Sequence, residues 1–186
     1  MTKTALRREI AAAVAALSPD YCRRADEAIC RHIRQSELYR RADVIFCYVG
    51  TAREIHTLPL IEAALADGKV VAVPLCTGRG IMEARAICSV EELVPGAYGI
   101  PEPAPHCPVV PPQALSLALI PCCTGNDRGR RLGYGGGFYD RYLPGTCCPR
   151  VLLCRGALVR EDIPAEVHDL PMDWLVTEDG LVACRP

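Results

Sequence analysis

The chain has 186 residues, a length that suits one domain, and half of its residues are apolar, which is enough for a sizeable core. Its formal net charge is −1, which argues against attraction to nucleic acid or to membranes as its main activity. No apolar run approaches the ~18 residues of a membrane-spanning helix, and the charged, amphipathic start is unlike a signal peptide. We therefore expect a cytoplasmic monomer with no nucleic-acid or membrane partner.

The chain contains twelve cysteines. No two of them have the C-x-x-C spacing of zinc and redox sites, and disulfide frameworks belong mainly to small secreted chains. Several lie inside apolar runs, such as Cys47 in VIFCYV and Cys154 in VLLCR. We expect free thiols that pack as small hydrophobic side chains, with a metal site as the alternative.

Two helices are predicted at the N-terminus. Apolar residues recur at helical spacing from Leu6 onward, which predicts a first helix that ends before Ser18. Ser18 and Pro19 are typical of the N-cap and the first position of a second helix, which should run to about Ser36. The sequence thus predicts a helical segment over residues 3–36.

A strand–helix–strand unit follows. Residues 43–49 form a continuous apolar run that is rich in β-formers, which indicates a buried strand. Residues 59–66 are predicted to be helical, and residues 69–75 form a second buried strand. This order predicts two parallel strands joined by a right-handed crossover.

Further strands are predicted at residues 81–88 and 115–121. Between them, residues 89–92 form a capping box that opens a short helix, and the proline-rich residues 95–112 indicate an extended loop without regular elements. The sequence does not decide whether that loop is a lid or a strap that holds a partner.

The last predicted strands cover residues 151–155 and 174–177. Together these elements predict an α/β fold over residues 1–186: a single three-layer domain with a mostly parallel sheet and helices on both faces.

The segment RLGYGGGFYDRYL, residues 131–143, carries the strongest chemical signal. Closely spaced glycines permit positive φ and let a ligand approach the backbone, so their N–H groups can bind an anion beside the predicted helix at residues 138–143. Arg131 adds donors suited to phosphate, and Asp140 adds an oxygen ligand of the kind that Mg²⁺ takes. The alternative is a glycine-rich surface loop that ends in a short helix.

Two common nucleotide motifs are excluded. A dinucleotide fingerprint that starts at Gly133 would need a sixth-position glycine, where Phe138 stands. A P-loop needs Gly-Lys-Ser/Thr, whereas Gly68 and Lys69 are followed by Val70.

The same segment closely resembles the signature of the 5-formyltetrahydrofolate cyclo-ligase family, also called methenyltetrahydrofolate synthetases. Pro121, Gly129 and the GAYGIPEP segment also stand where that family has them. The resemblance implies that ATP and 5-formyltetrahydrofolate are the substrates, that 5,10-methenyltetrahydrofolate, ADP and phosphate are the products, and that Mg²⁺ is the cofactor.

The resemblance also implies a set of site residues, with Arg131 and Asp140 as catalytic residues and with Asp140 and Asp169 as ligands of Mg²⁺. By themselves, Lys3 and Arg7 are typical of a solvated helix face, Glu54 of a solvated loop, and His168-Asp169 of a turn. The residues implied for ATP are Lys3, Arg7, Arg131, Leu132, Gly133, Tyr134, Gly135, Gly136, Gly137, Phe138 and Tyr139. Those implied for the folate are Val49, Glu54, Tyr134, Gly135, Gly136, Gly137 and Phe138.

The chain departs from the family pattern in two places that bear on activity. Gly125 and Asn126 stand where the family usually has Phe-Asp, and Leu158 stands where it tends to have Gln. These departures leave open a paralogue that binds folate or nucleotide without turnover. The glycines and basic residues alone also leave open a phosphate-binding interaction module unrelated to folate.

Overall fold

The fold is given by a computed structural model that describes residues 1–166 and 169–185. The α-helices are α1 (Lys3–Ala16), α2 (Pro19–Gln35), α3 (Glu37–Arg41), α4 (Leu58–Ala66) and α5 (Phe138–Tyr142). The strands are β1 (Val44–Cys47), β2 (Val70–Gly78), β3 (Ile81–Ile87), β4 (Leu93–Pro95), β5 (Pro101–Pro103), β6 (Val109–Val110), β7 (Leu117–Ile120), β8 (Thr124–Gly125), β9 (Arg131–Leu132), β10 (Arg150–Leu153), β11 (Trp174–Thr177) and β12 (Gly180–Ala183).

The central sheet has eight strands in the order β12-β11-β10-β7-β1-β2-β3-β6. The inner strands from β11 to β2 pair in parallel, while β12 on one side and β3 and β6 on the other pair antiparallel. The predicted parallel pairing across the first crossover is confirmed, since β1 and β2 pair with Ile45 beside Val71. Two short ribbons, β4-β5 and β8-β9, lie outside this sheet.

Helices cover both faces of the sheet, as predicted. Alternate residues of each inner strand point to opposite faces, so Ile45 packs into one hydrophobic cluster and Phe46 into the other. The first cluster includes Ile29 of α2 and Ile61 of α4, and the second includes Leu6 of α1. The three-layer α/β fold follows from this double burial.

The predicted N-terminal helices form with the expected caps. Ser18 Oγ accepts a hydrogen bond from the backbone N–H of Tyr21, and Pro19 begins α2. Ser36 ends α2 and also caps α3, because its Oγ accepts from the N–H of Tyr39. The five-residue helix α3 was not predicted, since it is too short to show helical periodicity.

The prediction that residues 95–112 contain no regular elements was wrong. β4 and β5 form a ribbon with Val94 opposite Glu102, and β6 joins the edge of the main sheet beside β3. Proline is tolerated in such edge strands because one side of each strand needs no ladder hydrogen bond. Tyr98, at the tip of the ribbon, has a positive φ of 59°.

All twelve cysteines are free thiols, as predicted. Cys47, Cys107, Cys123, Cys148 and Cys154 are buried, and burial raises the pKa of the Cys123 thiol to about 11. A thiol held protonated in this way is a weak nucleophile, which fits a packing role.

Alkylation of the denatured protein without reductant should therefore label nearly all twelve cysteines. Mass spectrometry of the intact chain would count the labels. Protection that a reductant reverses would show disulfides, and protection that a chelator reverses would show bound metal.

No helix among residues 1–166 and 169–185 combines the length and the apolar character that crossing a bilayer requires.

Candidate active site

A cleft of about 650 Å³ opens at the carboxyl ends of the parallel strands. It is lined by residues that follow β1 and β7, by the N-terminus of α1, and by the glycine-rich segment between β9 and α5. The cleft brings together Lys3, Arg7, Val49, Glu54, Asp169 and residues 131–140. Every residue that was predicted for the site therefore lies at one cavity, although these residues come from both ends and the middle of the chain.

The glycine-rich segment lines the cleft and is followed by a short helix, as the sequence predicted. Gly135 and Gly137 have φ angles of 98° and 68°, which L side chains rarely adopt. Phe138 then begins α5 and places Asp140 in its first turn. Arg7 anchors the segment from α1, since its Nε donates to the carbonyl of Gly133 at 2.8 Å.

Arg131 is largely enclosed at the back of the cleft. Its side chain is 6% exposed, its Nη2 donates to Asp140 Oδ1 at 3.0 Å, and its Nη1 donates to the carbonyl of Pro121. The guanidinium also lies 5.3 Å from the centre of the Tyr139 ring. Leu132 lies at the edge of the cleft but is only 1% exposed and packs into the core.

Lys3 is paired with acidic residues from the far end of the chain. Its Nζ donates to both carboxylate oxygens of Asp169 at 2.7 Å and lies 3.2 Å from Glu166 Oε2. Desolvation lowers the pKa of Lys3, but its hydrogen bonds to Asp169 and Glu166 outweigh that effect and raise the pKa above its usual value. The predicted turn at His168-Asp169 lies partly outside the described residues, because His168 is not among them.

Glu54 lies in the loop after β1, as the strand order predicts. Its Oε2 accepts from the backbone N–H of Thr51 at 2.9 Å, which closes a small turn. Desolvation and the nearby Glu54 carboxylate raise the pKa of Tyr134, whose hydroxyl donates to the carbonyl of Cys122. Glu54 thus faces the cleft beside Tyr134, whose hydroxyl stays protonated at neutral pH.

Several residues at the cleft were not predicted. Tyr98 and Ile100 come from the GAYGIPEP segment, whose match to the family was the one available signal. Tyr98 is 76% exposed, and its ring meets the Phe138 ring edge-to-face at a centroid distance of 6.2 Å. The other unpredicted lining residues are Tyr48, Thr51, Arg53, Pro74, Pro121 and Glu166.

None of the departures from the family pattern belongs to the cleft lining, although Leu158 lines a small cavity that shares Arg53 and Glu54 with the cleft. A side chain at Gly125 would collide with Leu152, so that space is already filled. Asn126 is fully buried and organises its own turn: its Nδ2 donates to the carbonyls of Arg160 and Glu161, and its Oδ1 accepts two backbone N–H groups. Leu158 packs into the core. These residues therefore have structural roles here.

The donors at the cleft suit a hard divalent cation. Mg²⁺ is usually held by one or two carboxylates together with substrate phosphates and water, and Asp140 and Asp169 both line the cavity. Among residues 1–166 and 169–185, the group of three potential metal ligands is elsewhere, at Glu92, His106 and Cys107. The hydrogen bond between His106 Nε2 and Glu92 Oε1, at 3.0 Å, accounts for most of that grouping.

A model of the 5-formyltetrahydrofolate cyclo-ligase family matches residues 1–178. The chain belongs to this family. A 5-formyltetrahydrofolate cyclo-ligase of Mycolicibacterium smegmatis is 37% identical over 74% of this chain and 69% of that protein. A cyclo-ligase of Saccharomyces cerevisiae is 27% identical over 97% of each chain.

Solved structures of the family agree with the fold. The NMR structure of Aquifex aeolicus 5,10-methenyltetrahydrofolate synthetase superimposes with a TM-score of 0.90 at 27% identity, and it covers 100% of this chain and 94% of that one. The resemblance seen in residues 131–143 thus extends to the whole cyclo-ligase fold.

Proposed function

We propose that the chain is a 5-formyltetrahydrofolate cyclo-ligase, which uses ATP to convert 5-formyltetrahydrofolate into 5,10-methenyltetrahydrofolate, ADP and phosphate. The proposal rests mainly on one observation. The basic residues Lys3, Arg7 and Arg131, which suit phosphate, line the same cleft as Val49 and Glu54, which suit the folate. Membership of the family supports the same activity.

The chemical problem is that the oxygen of a formamide is a poor leaving group. Transfer of the γ-phosphoryl group to that oxygen forms an O–P bond, breaks the bond to ADP and gives an imidate phosphate. N10 of the folate then attacks the activated carbon and gives up its proton to solvent or to the departing phosphate, the C–O bond breaks, and phosphate leaves as the five-membered ring closes. The protein needs to position the reactants and neutralise charge, and it needs no nucleophile of its own.

The phosphates are assigned to the basic end of the cleft. Lys3, Arg7 and Arg131 carry the positive charge, and the backbone N–H groups between Gly135 and Phe138 add donors. In the structure Lys3 pairs with Asp169, and Arg131 pairs with Asp140. Within each ion pair the positive and negative charges offset each other. When ATP and its metal ion bind, the phosphates can take the place of the carboxylates beside Lys3 and Arg131, and the metal ion can take the place of the basic groups beside Asp169 and Asp140.

Asp140 and Asp169 are the residues that would hold Mg²⁺, since both offer hard oxygen ligands at the cleft. When bound, Mg²⁺ would offset the negative charge that accumulates on the transferred phosphoryl group.

The folate is assigned to the end of the cleft formed by the β1 loop. The Glu54 carboxylate can accept hydrogen bonds from the N–H donors of the pterin, and Val49 offers an apolar contact. Tyr134 and Phe138 provide aromatic faces for the flat ring systems of the substrates.

The test is a turnover assay with purified protein, 5-formyltetrahydrofolate, ATP and Mg²⁺, followed by the absorbance of the methenyl product. We expect product only when ATP and Mg²⁺ are both present, with one phosphate released per product. Saturable folate binding without phosphate release would instead show a binding paralogue. No folate binding at all would favour a phosphate-binding module.

A further inference from the structure

A buried ion pair lies directly behind the β1 loop. Arg155 follows β10 and its side chain is 4% exposed, while Asp26 lies on the buried side of α2. Arg155 Nε donates to Asp26 Oδ1 at 2.8 Å and Nη2 donates to Oδ2 at 2.9 Å, so the contact is bidentate. Neither residue lines the cleft.

The same pair holds the backbone on both sides of Glu54. Arg155 Nη2 donates to the carbonyl of Glu54 at 2.7 Å, and Nη1 lies 3.4 Å from the carbonyl of Arg53. Asp26 Oδ2 accepts the backbone N–H of His56 at 2.9 Å. The planar guanidinium and its carboxylate therefore hold three residues of the loop, Arg53, Glu54 and His56, in one orientation.

The loop also has bonds of its own. Gly50 N–H donates to Thr57 Oγ1 at 3.0 Å, Thr57 Oγ1 donates to the carbonyl of Tyr48 at 2.6 Å, and Thr51 N–H donates to Glu54 Oε2 at 2.9 Å. These bonds close the loop without help from Arg155. The buried pair thus sets the orientation of the loop relative to the sheet. That orientation decides where the Glu54 carboxylate lies in the cleft.

Stability alone is a weak reason for such a pair. Desolvation of two charges offsets much of their attraction, and a well-packed apolar pair of similar volume is often as stable. We propose that Arg155 and Asp26 are positioning residues that aim Glu54 at the folate substrate. This inference rests on the proposed function, in which Glu54 binds the pterin.

The experiment compares the steady-state KM for 5-formyltetrahydrofolate with the KM for ATP in Arg155→Met, Arg155→Lys and the double variant Asp26→Leu/Arg155→Met. Arg150→Met is the matched control. Arg150 begins the strand that Arg155 follows and makes a bidentate ion pair with Asp173, away from the cleft lining. Thermal unfolding of each variant is measured in parallel.

We expect Arg155→Met to raise the KM for the folate by about tenfold or more, because a misplaced substrate contact has a large effect on binding, and to change the KM for ATP by less than about twofold. The folate KM of Arg155→Lys should lie between those of the wild type and Arg155→Met, since lysine keeps the charge but lacks the planar fork of donors. The double variant should regain much of the thermal stability that Arg155→Met loses, but its folate KM should stay raised. Arg150→Met should leave both KM values near those of the wild type.

Two results would overturn the inference. One is a double variant whose folate KM stays within about twofold of the wild-type value, and the other is an equal rise of both KM values in Arg155→Met. Failure of the proposed function is recognised separately, because the wild-type protein would then give no product. In that case the variants are compared by direct titration with 5-formyltetrahydrofolate, and the same tenfold criterion decides.

Discussion

Asp140→Asn is expected to lower turnover by about two orders of magnitude or more while the chain stays folded, on the scale that follows removal of a charge-stabilising group. Asparagine keeps the shape of the side chain and can still accept a hydrogen bond from Arg131, whose Nη2 lies 3.0 Å from Asp140 Oδ1. It loses the negative charge that a hard cation requires, so the Mg²⁺ concentration needed for half-maximal rate should rise. Steady-state rates over a Mg²⁺ titration check both effects.

The alternative role for Asp140 is that of an acid in the first turn of a helix, which would contribute only ~0.3–1 kcal/mol of stability through the helix dipole. Glu37→Gln is the matched control. Glu37 opens α3, which has five residues as α5 does, and it is bound by Arg40 and Arg41. The control should keep normal turnover. Near-normal turnover of Asp140→Asn at ordinary Mg²⁺ would remove Asp140 from the proposed metal site.

Glu54→Gln should weaken the use of folate far more than the use of ATP. The carboxylate can accept two pterin donors, whereas the amide accepts cleanly with one atom and leaves a buried donor unsatisfied, at a cost of about 1–3 kcal/mol. That cost corresponds to a rise in the KM for 5-formyltetrahydrofolate of about 5- to 150-fold. Glutamine can still accept the Thr51 N–H that closes the turn, so the loop should keep its shape.

Separate titrations of the two substrates check this prediction, with Glu62→Gln as a control at an exposed acid of α4. The control should leave both KM values unchanged. A raised KM for ATP together with an unchanged KM for the folate would assign Glu54 to the nucleotide instead.

The parallel strands of the central sheet could be predicted because each lies in an apolar run of the sequence. Residues 43–49 and 115–121 contain the observed β1 and β7, which pair in parallel with Phe46 beside Ala118 and are buried on both faces. β12 was missed because the strand has only four residues and two of them are exposed. The elements within residues 95–112 were missed because proline-rich sequence carries no periodicity.

The members of the site could be predicted, but their partners could not. The glycine spacing and the family resemblance indicated Arg131, Asp140, Lys3 and Asp169 as ligands of phosphate or metal. That these residues form two ion pairs depends on how the ends of the chain meet in space, since Lys3 and Asp169 are 166 positions apart. No local pattern encodes that meeting.

The same limit applies to Arg155 and Asp26, which are 129 positions apart. Each is an ordinary charged residue in its own segment, and neither belongs to the residues that carry the family resemblance. Their burial and their shared contact with the Glu54 loop become visible only in the folded chain.

The most direct test of the proposed reaction is to measure whether the formyl oxygen is transferred to the released phosphate. The substrate is 5-formyltetrahydrofolate labelled with ¹⁸O in the formyl group, and the inorganic phosphate released by the enzyme is analysed by mass spectrometry. Because the phosphoryl group is attached to the formyl oxygen before the C–O bond breaks, each phosphate should carry one ¹⁸O atom. Unlabelled substrate in H₂¹⁸O should give unlabelled phosphate. Phosphate that takes its new oxygen from water, while the methenyl product still forms, would contradict activation of the formyl oxygen by ATP.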